Sequence, residues 1–190
     1  MVKPVKMEKG YIEAFKVARE KIRFLYPVQK VLKTFYFGKN YLIKLPEVEF
    51  INADELNDRE KILILHYLSS PIPEENYDTS FISFKEIKTG NIYFPSIFSR
   101  VHNPLIQKFS NSPEKFMEKA LSLHATPTPM EKYSVKFHVF PEIHVIINFY
   151  PEDEEFPPDA RILFSSITEK IFNIEDIVIM CEEIVEKLIK

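Results

Sequence analysis

The densest group of acidic side chains lies in the stretch PEDEEFPPDARILF, residues 151–164. Four of its carboxylates are candidates for chemistry: Asp153, Glu154, Glu155 and Asp159. Neighbouring carboxylates can separate their pKa values and act as general acid and base, or can bind Mg²⁺ or Ca²⁺. A calcium loop of the DxDxDG type is excluded, because the stretch contains no glycine.

The same stretch also fits an exposed crossing between two strands. Phe156 is expected to contact the core, and Pro157–Pro158 would hold the chain extended toward a strand at 161–164. The prolines and the apolar segment after them favour this crossing, and the acidic site is the alternative.

Two histidines form a second candidate site. If residues 140–142 form a symmetric turn, His138 lies directly opposite His144 on neighbouring strands. Two imidazoles at that distance can share a divalent metal ion with Glu142 or with a carboxylate from 153–155. Ring-bearing residues also pack across strands without a metal, so both interpretations stay open.

Two further residues could carry chemistry on their own. His66 lies among leucines and isoleucines, where a histidine can shuttle protons, but a core histidine that donates one hydrogen bond is the favoured interpretation. Cys181 lies on an apolar helix stripe and should behave as a small hydrophobic residue. No serine lies in a GxSxG motif, so no catalytic triad is predicted.

Glycine content and charge exclude two classes of protein. The three glycines form neither a GxGxxG nor a P-loop motif, which argues against a nucleotide phosphate site. The chain has 25 basic and 28 acidic residues and a net charge of -3, with lysines interleaved among glutamates. Nucleic-acid binders show a basic excess or a basic face. Binding to DNA or RNA is therefore not expected.

The composition also predicts the compartment. No apolar run reaches the roughly 18 residues needed to cross a bilayer, and the N-terminus has no apolar signal segment. A single cysteine rules out an internal disulfide. We expect a cytoplasmic protein that does not enter membranes. Its richness in Lys, Glu, Ile and Phe is compatible with a thermophile or with a biased genome composition.

Hydrophobic periodicity predicts a mixed α+β fold. An amphipathic helix is expected at 8–25 and strands between 31 and 51, and Asn57 with Glu60 suggests a capping box for a buried helix. Pro95 and Pro104 are expected to divide the next region into short helical pieces. Alternating apolar residues predict a hairpin of two strands at 132–140 and 143–150. A helix from Ser112 is expected before the hairpin, and a strand at 161–164 and a helix at 174–190 are expected after it. One domain over 1–190 is predicted, with a flexible tail at 1–7 and both terminal helices packed on a mainly antiparallel sheet.

Several segments together resemble a known family: 60-EKILILHYL-68, 84-FKEIKTG-90, 137-FHVFPEI-143, 153-DEEFPPDARILF-164 and 175-EDI-177. Their order is similar to that of an uncharacterised family from anaerobic bacteria and archaea that carries a domain-of-unknown-function label. Some relatives are associated with iron–sulfur modules linked to corrinoid metabolism. The family pattern tends to place Asp after the Leu-Phe pair, where this chain has Ser165.

The resemblance implies a partner and assigns no reaction. It predicts a non-catalytic accessory or ligand-binding domain that works with an iron–sulfur or corrinoid protein and holds no cofactor itself. The alternative is a small enzyme that uses Asp153, Glu154 and Glu155 with His138 and His144 as an acid–base or metal site.

Overall fold

The computed structural model describes residues 9–72, 80–88 and 90–190, so the predicted tail at 1–7 lies outside the described residues. Helices lie at both ends of the described chain and its sheets contain antiparallel strand pairs, which confirms the α+β fold. The chain divides into two compact units: Met1–Thr34 with Asn40–Pro71, and Phe35–Lys39 with Ile72–Lys190. The single domain over 1–190 stays a prediction.

The first unit contains two helices and most of a small sheet, whose residues Phe35, Tyr36 and Lys39 are counted with the second unit. Helices α1 (Lys9–Leu25) and α2 (Asp58–Ser69) contact each other. The sheet has the order β1-β2-β3, with strands β1 (Val31–Tyr36), β2 (Lys39–Lys44) and β3 (Glu49–Ile51). These elements confirm the helix predicted at 8–25 and the strands predicted between 31 and 51.

The start of α2 is fixed by a capping box, as its sequence predicts. The Asn57 side chain accepts the N–H of Glu60 at 2.9 Å, and the Glu60 carboxylate accepts the N–H of Asn57 at 3.0 Å. The two N–H groups would otherwise have no hydrogen-bond acceptor at the helix N-terminus. Glu60 is only 1% exposed, so this exchange also satisfies a buried carboxylate.

The second unit is built on a five-stranded antiparallel sheet with the order β4-β8-β7-β6-β5. Its strands are β4 (Phe81–Ser83), β5 (Thr126–Pro127), β6 (Tyr133–His138), β7 (His144–Tyr150) and β8 (Asp159–Ser165). The β6–β7 hairpin pairs His138 with His144 as predicted. The strand expected at 161–164 is longer, and the two-residue edge strand β5 was not predicted because it is too short to show alternation.

The helices of the second unit are α3 (Gly90–Ile97), α4 (Asn103–Phe109), α5 (Pro113–Ser122), α6 (Thr168–Ile171) and α7 (Ile174–Ile189). A π-helix at Phe98–His102 joins α3 directly to α4. Pro95 and Pro104 therefore do not break the region into separate pieces. Pro104 directly follows the π turn, whose wider hydrogen bond runs from the Asn103 N–H to the carbonyl of Phe98, five residues back.

The core of the second unit is rich in aromatic rings. Phe116 and Phe149 are at most 1% exposed, and their ring centroids lie 5.5 Å apart. Helix α7 confirms the helix predicted at 174–190 and begins where the Asn173 side chain accepts the N–H groups of Glu175 and Asp176. Among the described residues, no helix combines the length and the apolar character needed to cross a membrane.

Candidate functional site

The acidic stretch forms a self-contained surface turn. The Asp153 carboxylate accepts the N–H groups of Glu155 and Phe156 at 2.9 and 2.7 Å, while the Asp153 N–H donates to the Phe156 carbonyl. Asp153, Glu154 and Glu155 are exposed. The expectation that Phe156 contacts the core is wrong, since its side chain is 65% exposed. The turn holds the backbone of Phe156 against the Asp153 carboxylate at the surface.

This turn and the histidine pair lie at opposite ends of β7. His144 is the first residue of the strand and Tyr150 the last, and the acidic residues follow Tyr150. Seven strand residues span roughly 20 Å at about 3.4 Å per residue. The structure therefore does not bring Asp153, Glu154 or Glu155 to His138 and His144.

The two histidines stack on each other across the hairpin. Their ring centroids are 4.6 Å apart with the planes 12° from parallel, and the Phe35 ring covers His138 at 4.4 Å. Burial, then the nearby His138 and Lys136, lower the pKa of His144. Glu142 lies half-buried in the turn. Within the described ranges, no three or more His, Cys, Asp or Glu residues are grouped to hold a metal ion.

The other two candidates lie elsewhere. His66 is half-buried on α2 in the first unit, and its carbonyl accepts the hydroxyl of Ser70 at 2.9 Å. Cys181 is 1% exposed on α7. Burial, with a smaller contribution from Glu182, raises the pKa of the Cys181 thiol to about 12, so the thiol is protonated at neutral pH.

A cavity of about 510 Å³ lies in the second unit, where sequence reasoning placed no site. It is bounded by the end of β4, the short 3₁₀ turn at Phe84–Glu86, α3, the π-helix and β8. Charged and aromatic side chains line much of it: Lys85, Glu86, Phe94, Phe98, His102, Asp159 and Arg161. Asp159 is the one of the four candidate carboxylates that reaches this cavity.

His102 connects the π-helix to β8 at the wall of this cavity. Its Nδ1 lies 2.8 Å from the carbonyl oxygen of Ala160. Because a carbonyl can only accept, Nδ1 carries the proton, and the neutral ring keeps a lone pair on Nε2. No residue in the described part of the chain hydrogen-bonds Nε2, which keeps some accessible surface although His102 is 7% exposed.

Burial is the main reason that the pKa of His102 is lowered. The hydrogen bond to Ala160 and the charge of Asp159 oppose this shift, and Lys85 adds to it. The imidazole is therefore neutral at physiological pH and can accept a hydrogen bond through Nε2.

Two phenylalanines hold the imidazole in place. Phe98 stacks on His102 with centroids 5.5 Å apart, and Phe94 meets His102 edge-on at 5.8 Å. These rings lie four residues apart along α3 and the π-helix. π-Helical turns occur frequently at functional sites. The geometry thus places the Nε2 acceptor of His102 beside two aromatic rings.

Gly90 permits the close approach of α3 to the turn that lines the cavity. A Cβ at Gly90 would lie 1.9 Å from the carbonyl oxygen of Phe84, which no side chain can tolerate. This glycine sits at the first position of α3, directly beside the 3₁₀ turn at Phe84–Glu86. The shape of the cavity wall therefore depends on the absence of a side chain here.

Comparison with known proteins identifies the family. No curated protein and no solved structure matches the chain significantly. The model of the family described as domain of unknown function (DUF3786) matches residues 15–187. This match confirms the resemblance to an uncharacterised family, while the prokaryotic range and the corrinoid association stay predictions. The chain belongs to the DUF3786 family of domains of unknown function.

Proposed function

We propose that this protein is a ligand-binding domain whose binding site is the cavity beside His102. The observation that supports this proposal is the Nε2 atom of His102, a neutral acceptor without a hydrogen-bond partner in the described chain, on the wall of a cavity of about 510 Å³. Small-molecule sites typically have roughly 300–1,000 Å³, mostly apolar walls and a few placed polar groups. Phe94 and Phe98 supply the apolar wall.

The hydrogen bond to Ala160 gives this acceptor a fixed direction. Because Nδ1 is held by the backbone of β8, the ring cannot rotate without losing that bond. The stacked Phe98 adds a second restraint. A fixed acceptor selects ligands that place an N–H or O–H group at one position, and such a bond contributes about 0.5–1.5 kcal/mol to binding.

The test is a thermal-shift and NMR screen of small planar compounds against the purified chain at pH 7.5. In the variant His102→Asn, the side-chain amide can still donate to Ala160, but the Nε2 acceptor is gone. We expect hits to bind this variant about 3- to 10-fold more weakly, the change that corresponds to one hydrogen bond. The control is His66→Gln in the first unit, which should bind like the wild type. Equal binding by all three proteins would contradict the proposal.

An accessory role beside a corrinoid or iron–sulfur protein is proposed on the family resemblance alone. A pull-down with the tagged protein from native anaerobic lysate tests it, with His102→Asn as a second bait. Recovery of a corrinoid or iron–sulfur protein supports the role. If neither class is recovered, the partner proposal fails and the ligand site is unaffected.

A further inference from the structure

We infer that the ligand of this cavity is a small aromatic anion, whose negative group lies beside Lys85 and Arg161 while an O–H or N–H group donates to His102. This inference rests on the proposed ligand-binding function and adds the chemical class of the ligand. It follows from the partners of the charged side chains at the cavity. The two carboxylates accept hydrogen bonds from neighbouring residues, whereas the two cations lie over aromatic rings.

The carboxylates at the cavity accept hydrogen bonds from residues near them in the chain. Glu86 accepts both the N–H and the hydroxyl of Ser83, each at 2.7 Å, and closes the N-terminus of the 3₁₀ turn. Asp159 accepts the N–H of Ala160 at 2.8 Å. Both acids therefore have local structural partners.

The two cations at the cavity, Lys85 and Arg161, have no acidic partner among the described residues. In the part of the chain that the structure describes, no carboxylate lies within the 4.0 Å ion-pair distance of Lys85 or Arg161. Each lies over an aromatic ring instead: the Lys85 Nζ is 4.1 Å from the Phe94 centroid, and the Arg161 Cζ is 5.5 Å from that of Tyr150. A bound anion would give these two cations a negatively charged partner.

The position of Lys85 explains why the anion should be aromatic. Its ammonium group lies on Phe94, and Phe94 in turn contacts Phe98 and His102. An anion that pairs with Lys85 is thus held beside a wall of three rings. A flat ring on the ligand can contact this wall edge-on or offset, which are the arrangements that aromatic pairs prefer.

The experiment compares two probes of nearly equal size, 4-hydroxybenzoate and 4-hydroxybenzamide. Both carry a phenolic O–H for His102, and only the first carries a negative charge at pH 7.5. We expect calorimetry or NMR titration to show about tenfold tighter binding of the benzoate. Lys85→Gln and Arg161→Gln should each reduce this preference at least about threefold. The exposed Lys170, on α6, provides the control Lys170→Gln, which should keep the preference.

The outcomes separate this inference from the proposed function. If the benzamide binds at the cavity as tightly as the benzoate, the anion assignment is wrong and the ligand-binding function stands. If His102→Asn weakens neither probe, the cavity is not the binding site and both fail. A preference that survives in the Lys85→Gln Arg161→Gln double variant also overturns the inference. Lys85 and Arg161 are exposed, so thermal melts should show these variants folded.

Discussion

The imidazole of His138 stacks on that of His144 with 4.6 Å between ring centroids, and His138 is exposed whereas His144 is half-buried. Because the two rings are in contact, a positive charge on His138 disfavours a positive charge on His144. Burial and the neighbouring His138 make protonation of His144 unfavourable in the folded protein. His102 is similarly hard to protonate, because burial lowers its pKa.

Stability should therefore fall as the pH drops. His102 and His144 each have a folded-state pKa below 6.5. Below about pH 6.5 the unfolded chain therefore binds protons that the folded chain does not. We expect the free energy of unfolding in urea to be lower at pH 5.5 than at pH 7.5. The loss should be smaller in His144→Gln and in His102→Asn, and an equal loss in both variants and the wild type would refute this explanation.

Two phenylalanines of different burial test the core. Phe149 is 1% exposed and contacts Phe116 and Phe109, whereas Phe156 is 65% exposed. Phe149→Ala should lower the free energy of unfolding by about 3–5 kcal/mol. Phe156→Ala is the matched control and should change it by no more than about 0.5 kcal/mol. Chemical denaturation measures both, and a large effect of Phe156→Ala would mean that the acidic turn contacts the core after all.

Gly90 and Gly10 give opposite predictions for the same substitution. Gly90→Ala forces a Cβ against the Phe84 carbonyl and should destabilise the protein by about 1–3 kcal/mol. Nothing lies within 4 Å of a Cβ at Gly10 in α1, so Gly10→Ala should be neutral or stabilise by up to about 1 kcal/mol. Thermal unfolding distinguishes them. Equal effects would show that the α3 start is not held against the 3₁₀ turn.

Cys181 should resist thiol reagents in the native protein. Its burial on α7 raises its pKa to about 12, and the thiolate is the reactive form. Iodoacetamide at pH 7.5 should label the chain only after unfolding in guanidinium chloride, as followed by mass spectrometry. Fast native labelling would show that α7 opens on the timescale of the reaction.

The sequence predicted those features whose signal is local. The pairing of His138 with His144 followed from strand alternation and a symmetric turn, and the Asn57 cap followed from residue type and spacing. The cavity was missed because its parts are distant in sequence: His102 meets Ala160 across 58 positions. A π-helix has no residue signature of its own, so nothing local set His102 apart from the other histidines.

The acidic stretch shows the same limit. Its turn was predicted from prolines and charges, but the direction of Phe156 depends on a hydrogen bond from its own N–H to Asp153, which composition does not reveal. Of its four candidate carboxylates, only Asp159 at the start of β8 reaches the cavity, because strand pairing with Tyr150 places it there.

The π-helix at Phe98–His102 has a consequence for how the chain tolerates change. A π turn contains one residue more than the hydrogen-bonded turn of an α-helix, and each α-helical residue advances the chain by about 100°. Its five residues turn the chain about as far as four α-helical residues do, so deleting one residue there would leave an ordinary helix whose later side chains keep nearly their present direction relative to Phe94. The effect of such a deletion would be confined to Phe98–His102, where it would displace the imidazole from its stack on Phe98, while helix α4 would keep its orientation.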